Sequence, residues 1–233
     1  MRRARRVNCS YRVLVYRHSR GSSQQPKVRM KNLARFRQFV IDFTRLVEQE
    51  AGDESAVFAR GEKLLGALVA HDDWLPDECA QSHPQYYQQY LLYCDPFERF
   101  SVVSFVWGPG QKTPVHDHCV WGMIGMLRGA ENCRRFAPGA PGQPMRAEDP
   151  CTLKPGMVDR VSPAVGDVHE VANALPDRPS ISIHIYGANI GAVARHVYDP
   201  ATGAIKPFVS GYSSPMMTNF WDRSAEVRAG LAK

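Results

Sequence analysis

The stretch Gly110 to Gly129, GQKTPVHDHCVWGMIGMLRG, decides how this chain is read. It carries His116 and His118, separated by a single residue. On a β-strand the side chains at i and i+2 share a face, so both imidazoles aim at one point. A third histidine, His169, follows in GDVHEVAN, another strand-like segment. Three imidazoles on one metal leave coordination positions open, which suits a catalytic site better than a closed structural one.

A lone His-x-His pair also occurs on surfaces and in ordinary hydrogen-bonded settings, so its frame matters. Gly110 lies six residues before His116 and Gly129 eleven after His118, while His169 has Gly166 before it and Asn173 after it. This resembles the two-part cupin signature, a glycine-framed HxH pair followed by G-x-x-H-x-x-x-N. The glutamate ligand usual in that family would fall near Gly122, so the resemblance implies a three-histidine site.

Working outward, short β-branched and aromatic segments follow one another after Phe97: FSVVSFVW, VWGMIGML, TLKPGMV, VHEVAN, ISIHIYG and HVYDP. Each is bounded by Gly, Pro, Asn or Asp, a spacing that predicts an antiparallel sandwich or barrel. The segment 137–144, APGAPGQP, reads as a surface loop within it. On the N-terminal side, Leu33, Phe36, Val40, Phe43 and Val47 recur at helical spacing and predict an amphipathic helix from Lys31 to Glu50. A second helix is expected from about Ser55 to His71, with Leu64, Leu65, Leu68 and Val69 on its apolar face. The piece from Gln85 to Tyr93 suits either helix or strand. The fold expected is mainly β, a cupin double-stranded β-helix with N-terminal helices packed outside. The expected organisation is a basic tail over 1–28 and one domain over 29–233, helical over 29–95 and barrel over 96–233.

The whole chain carries +6, but residues 1–28 alone hold seven arginines and Lys27 without an acid, leaving the remainder mildly acidic at −2. Such a head is compatible with nucleic acid, a membrane surface or a targeting peptide. The reading preferred is a tail, or an upstream start with the working protein beginning near Met30. With no net positive charge on the body, no nucleic-acid partner is expected. No apolar run approaches the length of a membrane span, so no membrane partner is expected either. The six cysteines include no CxxC pair, and free thiols in a reducing cytoplasm are expected. A monomer or small homo-oligomer is expected.

Ser182, His184 and Tyr186 alternate with isoleucines in SISIHIY, so on a strand the three polar groups share one face. Buried polar groups need partners, and a row in which serine holds histidine and histidine positions the tyrosine supplies them. Together with His116, His118 and His169, this row resembles the thiol dioxygenases, the cysteine dioxygenase branch of the cupins, from roughly Tyr87 to Arg195. The resemblance implies Fe(II) on the three histidines, Ser182, His184 and Tyr186 as a catalytic relay, and a small thiol carboxylate and O2 as the reacting partners.

Two departures bear on the substrate. The place of the cysteine that animal cysteine dioxygenases cross-link to the relay tyrosine falls near Gly122, and Cys119 should point away from the metal, so no thioether to Tyr186 is expected. The cysteine enzymes use Y-x-R-x-L, whereas Tyr87, Gln89 and Leu91 give Y-x-Q-x-L, with Gln88 the alternative one register off. The pattern is similar to the glutamine-type 3-mercaptopropionate dioxygenases, in which a downstream arginine holds the carboxylate; Arg195 matches that position, and the resemblance implies Arg195 and Gln89 as the substrate-binding residues. The activity expected is conversion of 3-mercaptopropionate to 3-sulfinopropionate, with cysteine dioxygenation or a non-oxygenase metal-binding cupin as alternatives.

Overall fold

A computed structural model of the protein describes residues 32–137, 139, 142–214 and 216–217. The basic head and part of the 137–144 segment lie outside the described residues. Helix α1 spans Leu33–Gln49 and buries Phe36, Phe39, Val40, Phe43, Leu46 and Val47, the stripe its spacing dictates. Helix α2 spans Glu54–Val69 and is capped by Asp53, whose carboxylate accepts the Ala56 N–H at 2.9 Å. Among the described residues no helix is long and apolar enough to cross a membrane.

The strands follow as β1 Gln88–Cys94, β2 Ser101–Trp107, β3 Val115–His116 and β4 Gly122–Arg128. Next come β5 Glu131–Ala137, β6 Arg146–Ala147, β7 Cys151–Leu153 and β8 Val158–Val161. The last are β9 His169–Asn173, β10 Ser180–Tyr186, β11 Arg195–Tyr198 and β12 Ile205–Phe208. One sheet has the order β1-β2-β10-β4-β8, and the other runs β12-β11-β3-β9-β5-β6 with β7 beside β5. Every pairing is antiparallel. This is the mainly β, double-stranded β-helix architecture with helices outside that the sequence pattern predicts.

The sheet begins earlier than the boundary expected at residue 96, because Gln88–Cys94 is a strand paired with β2. Its period of two settles the ambiguity of the segment. Tyr87 and Leu91 pack toward the barrel interior, whereas Tyr90 and Leu92 pack toward the helices.

Strands β2 and β10 are buried along their whole length because each face meets a different core. Ile181, Ile183 and Ile185 join Val102, Val106 and Met123 against α1 and α2. Val103, Phe105, Trp107, Met126 and Tyr186 turn inward to the barrel. Gly125 permits the close approach of α2 to β4, since a Cβ there would come within 2.8 Å of Leu65 Cγ. Phe43, 0 % exposed, bridges helix and sheet with its ring 5.0 Å from Phe100 and 5.5 Å from Phe39. Phe43→Ala is expected to cost about 3–5 kcal/mol. Urea denaturation should show a lower midpoint at unchanged m-value.

Candidate metal centre

Strand β3 is only two residues long, yet it lies between β9 and β11, and its His116 is the register partner of His169. Side-chain alternation then sends His118 inward beside His116 and Asp117 outward. The three ring centroids sit 4.9 Å apart in each pair, and one ring nitrogen from each histidine falls within 4.8 Å of the others. All three side chains are buried.

What orients them is a tie at each Nδ1. His116 Nδ1 donates to the Pro114 carbonyl at 3.0 Å, His118 Nδ1 donates to Asp167 Oδ1 at 2.8 Å, and His169 Nδ1 lies 3.3 Å from Cys133 Sγ. With each Nδ1 engaged, Nε2 is the nitrogen left over, and that of His118 is buried without a partner among the described residues. Burial, reinforced by the neighbouring His118, pulls the His116 pKa down to about 3, and burial likewise lowers His169. His116 and His169 are therefore neutral, with lone pairs available. A buried cluster of three ring nitrogens with an unpartnered Nε2 fits a transition-metal ion.

Asp167 is absent from the sequence reading. Burial pushes its carboxyl up, but the His118 ring and the backbone N–H groups of His118 and Cys119 outweigh burial and hold it below the usual carboxylate range. It thus fixes both the His118 ring and the turn that follows. A period-two reading could have found it, since Asp167 stands two residues before His169.

On β10 the polar face forms the row that its alternation implies. Ser182 Oγ lies 2.8 Å from His184 Nε2, and His184 Nδ1 lies 2.7 Å from the Tyr186 hydroxyl. The Tyr186 ring stacks on His118 at 5.4 Å, which brings the row to the histidine cluster. Burial raises the Tyr186 pKa, so the phenol keeps its proton. Gly122 is the register partner of Tyr186, and a Cβ there would come within 2.8 Å of the ring. Cys119 is exposed.

Between the histidines and Tyr186 lies a cavity of about 160 Å³, lined also by Gln89, Phe105 and Arg195. That is small beside the ~300–1,000 Å³ of drug-sized sites. Gln89 faces it and donates through Nε2 to Ser210 Oγ at 3.0 Å and the Gly211 carbonyl at 2.6 Å. Gln88 turns away and donates to the carbonyls of Tyr86 and Tyr87. Arg195 is 3 % exposed, donates through Nη2 to Ser210 Oγ at 2.7 Å and lies over the Phe208 ring at 4.7 Å. Its Nε is buried without a partner among the described residues. Ser210 stands in no motif, and nothing in the sequence points to it.

The outward residues do different work. Asp117 accepts the His196 N–H at 2.7 Å, its ring nitrogen at 2.9 Å and the Tyr198 hydroxyl at 2.8 Å, locking β3 to β11. Trp121 packs with Phe43 and Phe58 on the helical side, away from the cavity.

The profile of the cysteine dioxygenase type I family matches residues 94–199, a span holding the three histidines, the Ser182–Tyr186 row and Arg195. The matched span is less than half of the chain. Among solved structures, a protein from Thermus thermophilus is similar at 20% identity and TM-score 0.38, over 48% of this chain and 92% of that one. A Klebsiella pneumoniae protein with a double-stranded β-helix domain aligns at 17% identity and TM-score 0.39, over 59% of this chain and 96% of that one. A cupin superfamily protein from Desulfitobacterium hafniense aligns at 13% identity and TM-score 0.38, over 51% of this chain and 94% of that one.

Two outcomes follow from the ties. Asp167→Ala should weaken metal binding by about 10–100-fold, measured by competition with a chelator. In metal-free protein the buried, neutral His116 and His169 bind protons only on unfolding. Stability should therefore fall as pH drops below about 6.5, measured as urea midpoints across pH 7 to 4. A flat profile would contradict neutral, buried imidazoles.

Proposed function

We propose that this chain is a non-haem Fe(II) thiol dioxygenase that converts 3-mercaptopropionate to 3-sulfinopropionate, with His116, His118 and His169 holding the iron. The observation that carries the reading is Arg195. A guanidinium 3 % exposed, with a buried Nε that meets no acceptor, is costly unless an anion joins it. A carboxylate matches the planar fork of an arginine and can accept two parallel N–H bonds. Arg195 shares its small cavity with two of the histidines, so a carboxylate on the arginine carries its thiol toward the cluster.

Bound iron would supply the chemistry that joins both atoms of O2 to the sulfur, consuming thiol and dioxygen and leaving a sulfinic acid. The protein's own part is placement and proton control. Arg195, steadied by Ser210 and Phe208, holds the carboxylate. Gln89 is spent on Ser210 and Gly211, so it shapes the pocket as a neutral wall and supports the groups around Arg195. Tyr186, held by His184 and Ser182, keeps a protonated hydroxyl at the cavity. Phe105 and Trp107 contribute apolar walls that limit water around the sulfur.

The choice of 3-mercaptopropionate over cysteine has its own support. Among the described residues no carboxylate lines the cavity, so the ammonium group of cysteine would be desolvated without an anionic partner. Cysteine is the rival named by the family match.

The test is oxygen consumption by Fe(II)-loaded protein with 3-mercaptopropionate and L-cysteine in parallel, with sulfinate quantified. Higher kcat/KM for 3-mercaptopropionate is expected. Preference for cysteine would overturn the substrate, and no uptake in protein that retains iron would overturn the activity. Arg195→Met should lower kcat/KM by about 10²-fold or more, the loss typical when one partner of a buried charge pair is truncated.

A further inference from the structure

Glu131 opens β5 and is 0 % exposed. Its Oε1 accepts from Ser180 Oγ at 3.1 Å, and Ser182, two residues along the same face of β10, lies beside the same carboxyl. Oε2 is buried without a partner of its own among the described residues. We infer that the Ser182–His184–Tyr186 row has a fourth member, Glu131, a positioning residue that sets the direction of the hydrogen bonds along the row.

The row has only two ways to run. His184 is buried and neutral, so it carries one N–H and one bare nitrogen, and both nitrogens are engaged. With the proton on Nδ1, His184 donates to the Tyr186 oxygen and Nε2 accepts from Ser182. The phenol hydrogen of Tyr186 is then free for the cavity. With the proton on Nε2, His184 donates to Ser182, and Nδ1 accepts the phenol hydrogen, which is lost to the cavity.

Glu131 selects between them through Ser182. A protonated carboxyl can donate to the serine oxygen, leaving the serine hydrogen for His184 Nε2. An ionised carboxylate is acceptor-only and competes for that hydrogen, which reverses the row. Among the described residues the groups that face Glu131 carry no charge: Leu153 from β7, Asn173 from β9, and Ser180 and Ser182 from β10. The Asn173 amide nitrogen is spent on the carbonyls of Trp107 and Arg178. Burial, opposed only by the two serines, pushes the Glu131 carboxyl up to about 8. At neutral pH it holds its proton and the phenol hydrogen of Tyr186 points to the cavity. The catalytic consequence rests on the thiol dioxygenase reading, whereas the direction of the row does not.

The experiment is nitrogen NMR of the full chain with labelled histidine between pH 6.5 and 9.5, with His184 assigned by its loss in His184→Gln. The Nδ1–H tautomer is expected at pH 7, giving way to Nε2–H through about pH 8. Glu131→Gln has nearly the same shape and an N–H donor that cannot ionise, so it should stay Nδ1–H throughout. Ser182→Ala should abolish the pH step by cutting the link. In parallel, sulfinate turnover in wild type should fall about tenfold between pH 7 and pH 9, a limb absent from Glu131→Gln. An Nε2–H tautomer in wild type at pH 7, no pH step in wild type, or an unchanged step in Glu131→Gln would each overturn the role of Glu131. If no thiol is turned over at any pH, the dioxygenase reading fails, and the tautomer still decides the role of Glu131.

Discussion

Three imidazoles are packed 4.9 Å apart inside the protein, and burial holds His116 and His169 among them neutral. Neutrality alone does not aim them. Each needs a partner at one nitrogen to fix its tautomer and turn the other nitrogen inward. Pro114, Asp167 and Cys133 supply those partners from three different segments. The short strand β3 must therefore be wedged between β9 and β11, and Asp117 clamps its outer face to His196 and Tyr198.

The same economy of alternation governs β10. Its isoleucines fill the core beneath the helices while Ser182, His184 and Tyr186 line the interior, so one strand secures the fold and presents a row of hydrogen-bonding groups. A residue inserted anywhere in this strand would exchange the two faces and place polar groups against α1 and α2. The helices thus pack against the back of the sheet on which the row stands.

Period-two patterns made much of this legible in the sequence. His116 with His118 and the Ser182–Tyr186 row follow from counting residues along strands, whereas Gln89 over Gln88 is decided only by the pairing of β1 with β2. The helical stripe of Phe36, Val40 and Phe43 was equally plain. What escaped depends on contacts between distant segments. Cys133 and Glu131 stand on β5, among ordinary strand residues, and become notable only when β9 and β10 are placed against them. Ser210 acquires meaning only once Arg195 and Gln89 converge on it. The strand at Gln88–Cys94 was ambiguous because its aromatic and apolar residues suit either period, and pairing with β2 decided it.

Arg195 joins these elements into one account, because its buried and incompletely satisfied guanidinium needs an anion beside the histidine cluster. The most direct test is calorimetric titration of the Fe(II)-loaded protein, without oxygen, with 3-mercaptopropionate and with its neutral amide. The account predicts tight binding of the carboxylate and binding of the amide weaker by about 10-fold or more, as expected for loss of a charge-assisted pair. Equal affinity for the two would contradict it.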